Sequence, residues 1–183
     1  MSLFQIKDAL FEIEQAAVVG ILNKDGSFAW AMDVETKRIQ SPLLGVAGPK
    51  ISITTIPHPK GVNRDLSRVE WRNVRAYYDD NWHGDFYVYD AEEYYECEIS
   101  LARASWNFYA LKWSGLCDVN WNEEYGKRVP FKIETTAAFN GILCNIDNEE
   151  KARDALANRC NDHMFAWIEL QSGEHIFFPR EIF

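Results

Sequence analysis

Hydrophobic and polar positions alternate along much of the chain, and this period of two is typical of β-strands with one buried face. The alternation is clearest between residues 94 and 102. One side of that stretch carries Tyr95, Cys97, Ile99 and Leu101, and the other carries Glu96, Glu98 and Ser100. The pattern predicts an antiparallel sheet with one core face and one solvated face.

Similar patterns predict further strands, joined by turns of Asn, Asp, Ser and Gly. The predicted strands cover 18–22, 28–34, 51–56, 74–78, 86–89, 94–102, 106–113, 129–136, 139–146, 164–170 and 175–178. Turn residues at 23–26 and 171–174 each separate two such strands. Both stretches therefore predict hairpins.

Two segments carry the three- and four-residue spacing of an amphipathic helix. At the N-terminus, Ser2 and Gln5 form a capping-box pattern ahead of apolar residues spaced in this way. Those residues are Leu3, Ile6, Leu10, Ile13 and Ala17. Near 148–160, Asp147 and Glu150 form a second capping pair. We therefore predict an α+β fold, in which a mainly antiparallel meander of hairpins carries an N-terminal helix and a second helix near 148–160. The length of 183 residues suits a single globular domain over 1–183.

Aromatic and acidic residues are concentrated in one part of the chain. All eight Tyr lie between Tyr77 and Tyr125, and five of the seven Trp lie between 71 and 125. The segment 71–125 also holds eleven acidic and four basic side chains, a net charge of −7 out of −9 for the whole chain. We call 71–125 the aromatic–acidic segment. Its composition predicts a contact surface.

The charge and the termini narrow the range of partners. A net negative chain has the wrong sign for nucleic acid, which needs clustered Lys and Arg, and for anionic membranes. No secretory signal is visible, and the apolar runs are too short to span a bilayer. We therefore expect a cytoplasmic protein whose four cysteines are reduced, mostly buried thiols.

Strand alternation assigns about half of the aromatic rings to the core, so the predicted surface is smaller than the aromatic–acidic segment. It is confined to two loop-like regions, 79–85 and 118–125, which share the sequence Asp-x-Asn-Trp. The predicted partner-binding residues are Asp79, Asp80, Trp82, His83, Asp85, Trp121, Glu123, Glu124 and Tyr125.

Metal and catalytic motifs are weak. The stretch Asp79–Asp90 approaches a calcium-loop pattern, but a His and a short Asp stand where oxygen ligands and a bidentate Glu are expected. Cys160 and His163 have zinc-like spacing, yet no second close pair accompanies them. The carboxylates of Glu96 and Glu98 could serve a glycosidase, but they fit a solvated strand better. No nucleophile or phosphate-loop motif is present. We predict no catalytic residue, no metal and no cofactor.

Two functional hypotheses follow. The first is a small acidic cytosolic interaction protein, which binds and neutralises a basic protein such as a toxin in the manner of bacterial immunity proteins. The second is a β domain that binds a glycan or a small molecule through Trp and Tyr rings. A hydrolase ranks third, because it lacks any convergent signature. The sequence does not define the oligomeric state.

Overall fold

The computed structural model of the chain describes residues 2–41, 45–58, 70–76, 84–88, 91–105, 107–119, 126–157 and 159–180. These residues form strands β1 (Leu3–Ile6), β2 (Ala9–Leu22), β3 (Phe28–Thr36), β4 (Ile39–Ser41), β5 (Gly45–Ala47), β6 (Lys50–Pro57), β7 (Glu70–Ala76), β8 (Phe86–Tyr87), β9 (Ala91–Glu92), β10 (Tyr94–Ser105), β11 (Phe108–Val119) and β12 (Gly126–Cys144). Helix α1 (Glu149–Ala157) and a short 3-10 turn (Asp162–Met164) follow, and then β13 (Phe165–Glu169) and β14 (His175–Pro179).

One large sheet contains all of these strands except β4 and β5, which pair with each other. Its main path runs β7-β10-β11-β12-β1-β2-β3-β6-β8-β9, and β14 joins β12 with β13 at its outer side. The pairings are antiparallel apart from that of β12 with β2, which is parallel from Ala138 opposite Ala17 to Cys144 opposite Leu22. The predicted antiparallel sheet is therefore present, and it dominates the fold more than the sequence pattern indicated.

The predicted N-terminal helix is wrong, and with it the α+β class. Residues 3–22 form a β-hairpin in which Phe4 pairs with Phe11 and Ile6 pairs with Ala9. Phe4, Ile6 and Phe11 are buried in the core. The turn between the strands contains Lys7 at φ 50° and has no Gly or Asn to signal a hairpin. Long-range pairing of β1 with β12 stabilises the strand over the helix that local spacing favours.

The second predicted helix is confirmed as α1, although it ends at Ala157 rather than near 160. Its cap is one residue from the expected position, because the Asn148 side chain, not that of Asp147, accepts a hydrogen bond from the Lys151 N–H at 3.0 Å. Ala152 and Leu156 bury the apolar side of the helix. The structure is thus a mostly antiparallel β fold with one α-helix in the part of the chain that is described.

The sheet is strongly curled around an aromatic core. Phe86 of β8 stacks on Phe131 of β12 with ring centroids 6.0 Å apart. These strands are five steps apart along the sheet, which would separate them by about 24 Å if the sheet were flat. Trp30 of β3 similarly meets Tyr109 of β11 at 6.0 Å. The inner face of the sheet is therefore closed over these rings, and its outer face is left to solvent.

Candidate functional site

The strands that precede the two predicted loops end at the same end of the sheet. β7 and β11 lie on either side of β10 and are both antiparallel to it, so they run in the same direction. Ala76, the last residue of β7, pairs with Cys97, and the Asp118 N–H donates to the Glu93 carbonyl at 2.8 Å. Residues 77–83 and 120–125 therefore follow strands that end next to the beginning of β10.

The return from residues 77–83 is fixed by close backbone contact. Asp85 and Ser52 exchange two backbone hydrogen bonds of 2.8 and 3.1 Å, and the Tyr94 hydroxyl donates to the Ser52 carbonyl at 3.3 Å. A Cβ at Gly84 would collide with that carbonyl oxygen and with the Tyr94 hydroxyl, so only glycine fits there. The start of β10 is thus connected to β6 at the place where the first predicted loop ends.

Eight of the nine predicted partner-binding residues lie outside the described residues. They are Asp79, Asp80, Trp82, His83, Trp121, Glu123, Glu124 and Tyr125. The ninth, Asp85, is exposed, and its backbone pairs with Ser52 as described above. Their role in binding stays a prediction, and the described residues around them form the candidate site.

Two β-bulges shape this end of the sheet. Between Tyr95 and Glu98, β10 holds one more residue than the facing part of β11, and Glu96 has φ 50°. Near the Cys117–Val119 stretch of β11, β12 also holds one extra residue, and Arg128 has φ 58°. Bulges of this kind redirect side chains and are frequent next to functional sites. Here they turn Glu96 and Arg128 outward, toward each other.

Five side chains meet between the bulges, and we call them the tyrosine–carboxylate cluster: Glu93, Tyr95, Glu96, Asp118 and Arg128. The Tyr95 hydroxyl lies 2.6 Å from a Glu93 carboxylate oxygen and 3.1 Å from Oδ2 of Asp118. Oδ1 of Asp118 accepts the backbone N–H of Arg128 at 2.9 Å. The Arg128 guanidinium is ion-paired with Glu96 and lies 5.7 Å from the centre of the Tyr95 ring. The cluster links the start of β10 to both strands that border residues 120–125.

Asp118 anchors the cluster from beneath. It is one of only three polar or charged residues buried among those described, with 6% of its surface exposed. A buried carboxylate requires hydrogen-bond donors, and the Tyr95 hydroxyl and the Arg128 N–H supply them. The hydrogen bond to the Glu93 carboxylate, then burial, then the hydrogen bond to Asp118 raise the pKa of Tyr95 above its ordinary value. Tyr95 therefore stays a neutral donor throughout the physiological range.

The prediction that Tyr95 shares the inner face with Cys97 is wrong, because the β10 bulge lies between them. Tyr94 is the buried ring, 3% exposed, and packs edge-to-face on Trp113 at 6.0 Å. Tyr95 is half-buried on the outer side, with its hydroxyl among the carboxylates. One extra residue in the strand reverses the inside and outside assignment of every residue before it.

A groove of about 780 Å³ lies on the outer face directly beside the cluster. We call it the outer groove. Its solvent-side lining consists of Glu96, Glu98, Ser114, Leu116, Pro130 and Lys132. Gly115 brings β11 close to its neighbours, because a Cβ there would be 2.8 Å from the Tyr95 carbonyl oxygen and 2.9 Å from the Cys97 sulfur. The groove is shallow and open, and it has carboxylates on one wall and a lysine on the other.

Catalytic and metal chemistry find less support in the geometry. Burial raises the pKa of the Cys97 thiol to about 12, so this cysteine is not a thiolate at neutral pH. Cys144 and His175 do face each other across β12 and β14, as the hypothetical zinc site required. In the part of the chain that is described, however, no three His, Cys, Asp or Glu side chains are grouped to hold a metal ion. Most of the calcium-like stretch Asp79–Asp90 lies outside that part.

Sequence reasoning missed most of the cluster. Glu93 and Glu96 were noticed only as members of an acidic run, and Tyr95 was assigned to the core. Arg128 carries no motif. Asp118 was visible as the first residue of the second Asp-x-Asn-Trp, and that repeated sequence was the one signal that pointed here. The cluster depends on three strands meeting, which local sequence does not encode.

Comparisons with protein-family models, with curated proteins and with solved structures found no match to this chain. Among the described residues, no helix has both the length and the apolar character needed to cross a membrane. Functional reasoning therefore starts from the site itself.

Proposed function

We propose that the protein is an acidic, cytoplasmic interaction protein that binds a basic protein partner and neutralises it, as immunity proteins do with toxins. One observation carries the proposal. The strands that lead into two acidic, Trp-containing stretches end side by side, next to a cluster that already presents Glu93, Glu96 and Asp118. The carboxylates of the aromatic–acidic segment are thereby concentrated at one end of one sheet.

Electrostatics favour a basic partner. A net charge of −7 in 71–125 creates a negative potential that attracts a positive surface and speeds its encounter. Exposed carboxylates near aromatic rings then provide hydrogen-bond acceptors and contact area for arginine and lysine side chains. A partner whose own function needs a basic surface, such as a nucleic-acid-cleaving toxin, would be blocked by occupation of that surface.

The base of the proposed surface is organised before binding. Asp118 connects β11 to Tyr95 of β10 and to the backbone of β12, and Tyr95 is in turn bonded to Glu93. Groups that are already held in place lose less conformational entropy on association. The cluster therefore suits tight binding, which inhibition requires.

Binding of a glycan or a small molecule is the second proposal, and it has weaker support. Sugar stacking needs exposed rings, whereas Trp30 and Trp113 are both fully buried core residues. The one aromatic residue that lines the outer groove, Phe131, is 3% exposed. This function would rest on Trp82 and Trp121, both outside the described residues.

The test is charge reversal with a matched control. One variant changes Asp79, Asp80, Glu123 and Glu124 to Lys. The control variant changes Asp8, Glu14, Asp154 and Glu169 to Lys, which alters net charge equally at exposed positions elsewhere. Each tagged protein is incubated with extract of its native organism at low and high salt, and the captured proteins are identified by mass spectrometry.

We expect the unmodified protein and the control variant to retain a basic protein that the loop variant loses, and the retention should weaken as salt rises. Equal retention by the loop variant would contradict the proposal. Titration of the unmodified protein with a sugar panel, followed by Trp fluorescence, tests the second proposal. A saturable response there would reverse the ranking.

A further inference from the structure

Arg128 occupies a position that resembles a bound ligand. Its guanidinium lies 5.7 Å from the centre of the Tyr95 ring and is ion-paired with the Glu96 carboxylate. An aromatic face together with a carboxylate is the combination that binds guanidinium groups in proteins. The chain thus fills with its own side chain a site that is built for an arginine.

We infer that Tyr95 and Glu96 form an arginine-binding site, which Arg128 fills in the free protein and which an arginine of the basic partner takes over in the complex. The inference rests on the proposed function, and it specifies how the partner is recognised at the tyrosine–carboxylate cluster. Arg128 acts as an internal competitor that keeps the site covered until a partner is present.

The site is shaped for guanidinium rather than for ammonium. The Tyr95 ring is held in one orientation, because its hydroxyl is bonded to Glu93 and Asp118. A planar guanidinium can lie against that ring while its N–H groups reach the neighbouring carboxylate, whereas a lysine ammonium acts as a point charge. We therefore expect the site to discriminate arginine from lysine.

The internal contact is suited to exchange. The side chains of Arg128 and Glu96 are 55% and 57% exposed, and ion pairs at such exposure contribute little to stability. Both residues also have positive φ values, 58° and 50°, which side-chain-bearing residues adopt at a cost. The outer groove begins at Glu96, so a partner segment can approach the site without moving a strand.

Two variants separate uncovering of the site from a change of charge. Arg128→Gly removes the competing guanidinium and puts at φ 58° the residue that tolerates it best. Lys132→Ala removes one positive charge from the same groove and, like Arg128→Gly, releases a carboxylate, because Lys132 is paired with Glu134 at 2.9 Å. Only Arg128→Gly also uncovers the Tyr95 ring. Thermal unfolding of both variants verifies that they are folded.

The probe is a capped four-residue peptide with two arginines, compared with the same peptide carrying lysines, in isothermal titration calorimetry. We expect Arg128→Gly to bind the arginine peptide about tenfold more tightly than the unmodified protein, a gain of about 1.4 kcal/mol. The lysine peptide should gain clearly less. Lys132→Ala should change both peptides by the same small factor, and adding Tyr95→Leu to Arg128→Gly should abolish the gain.

Equal affinities for the unmodified protein, Arg128→Gly and Lys132→Ala would overturn the inference, and so would an equal gain for the two peptides or no binding to any variant. None of these results bears on whether the loop variant loses a basic protein from extract. The proposed function and the arginine site can therefore fail independently.

Discussion

The two faces of strands β10–β12 use the same kinds of residue for opposite purposes. On the inner face, Tyr94, Trp113 and Phe131 pack edge-to-face at 6.0 and 6.2 Å and are almost fully buried. On the outer face, Tyr95 lies among carboxylates and beneath an arginine. Tyr94 and Tyr95 are neighbours in sequence, so composition does not distinguish core from surface here. The strand's register distinguishes them, and the β10 bulge sets that register.

Different forces therefore hold the two faces. Inner rings are stabilised by removal of apolar surface from water and by ring contacts, which depend on close packing. The outer cluster is stabilised by hydrogen bonds and charges, each of which adds a modest net amount because water competes for the same groups. The following predictions contrast the two faces, in order of decreasing effect.

Truncating the two adjacent tyrosines should have very different consequences. Tyr94→Ala removes a fully buried ring and its contact with Trp113, so we expect the free energy of unfolding to fall by about 3–5 kcal/mol. Tyr95→Ala removes a half-buried ring with two polar contacts, so we expect a fall of about 1–2 kcal/mol. Urea denaturation measures both. Similar losses for the two variants would mean that the bulge does not separate core from surface.

Replacement of Asp118 should show whether the cluster depends on hydrogen bonding or on charge. Asp118→Ala leaves the Arg128 N–H without its acceptor, and we expect a loss of about 1–3 kcal/mol in the free energy of unfolding. Asp118→Asn keeps an acceptor oxygen in the same place, so its loss should be under about 1 kcal/mol. Urea denaturation at neutral pH compares the two. If Asn proves as costly as Ala, the negative charge itself is essential.

The smallest effect concerns two tyrosines whose pKa values are raised for different reasons. Burial raises the pKa of Tyr109 to about 12, whereas the hydrogen bond to Glu93 is the first cause of the raised pKa of Tyr95. A tyrosine in the unfolded chain loses its proton near about pH 10. Because the folded protein holds both protons to higher pH, the free energy of unfolding should fall as pH rises above about 10.

Ultraviolet absorbance of tyrosinate during a pH titration measures this difference. Glu93→Gln should lower the pKa of Tyr95 and leave that of Tyr109 unchanged, since Glu93 acts only on the outer ring. Tyr95→Phe should remove part of the loss of stability above about pH 10, and Tyr109→Phe should remove another part. A shift of both tyrosines in Glu93→Gln would show that the two faces are coupled.

Much of the fold could be predicted where local patterns agree with the sheet. The Phe28–Val34 alternation, the turn with Gly26 at φ 76° and the terminal hairpin all follow the period of two and known turn chemistry. Helix α1 has a polar cap and a clear apolar side. The N-terminal hairpin failed, because its apolar residues also fit a helical spacing and its turn lacks Gly or Asn. In that hairpin, pairing with β12 overrides local preference.

The site was predictable only in outline. The repeated Asp-x-Asn-Trp and the local excess of charge drew attention to 79–85 and 118–125. Which strand ends lie side by side depends on the parallel course of β7 and β11 on either side of β10. These pairings join residues that are far apart in sequence, and they are set by the total burial of the sheet rather than by any local motif.

The sequence by itself determined the β character, the hairpin turns, the second helix and the concentration of negative charge, because each is a local property of neighbouring residues. Only the tertiary structure decided that residues 3–22 pair as strands, that the sheet curls around its rings, and that Tyr95 faces outward. The physical reason is cooperative. One extra residue in β10 and one in β12 are tolerated because their partner strands hold the register, and together they bring Glu96 and Arg128 into contact.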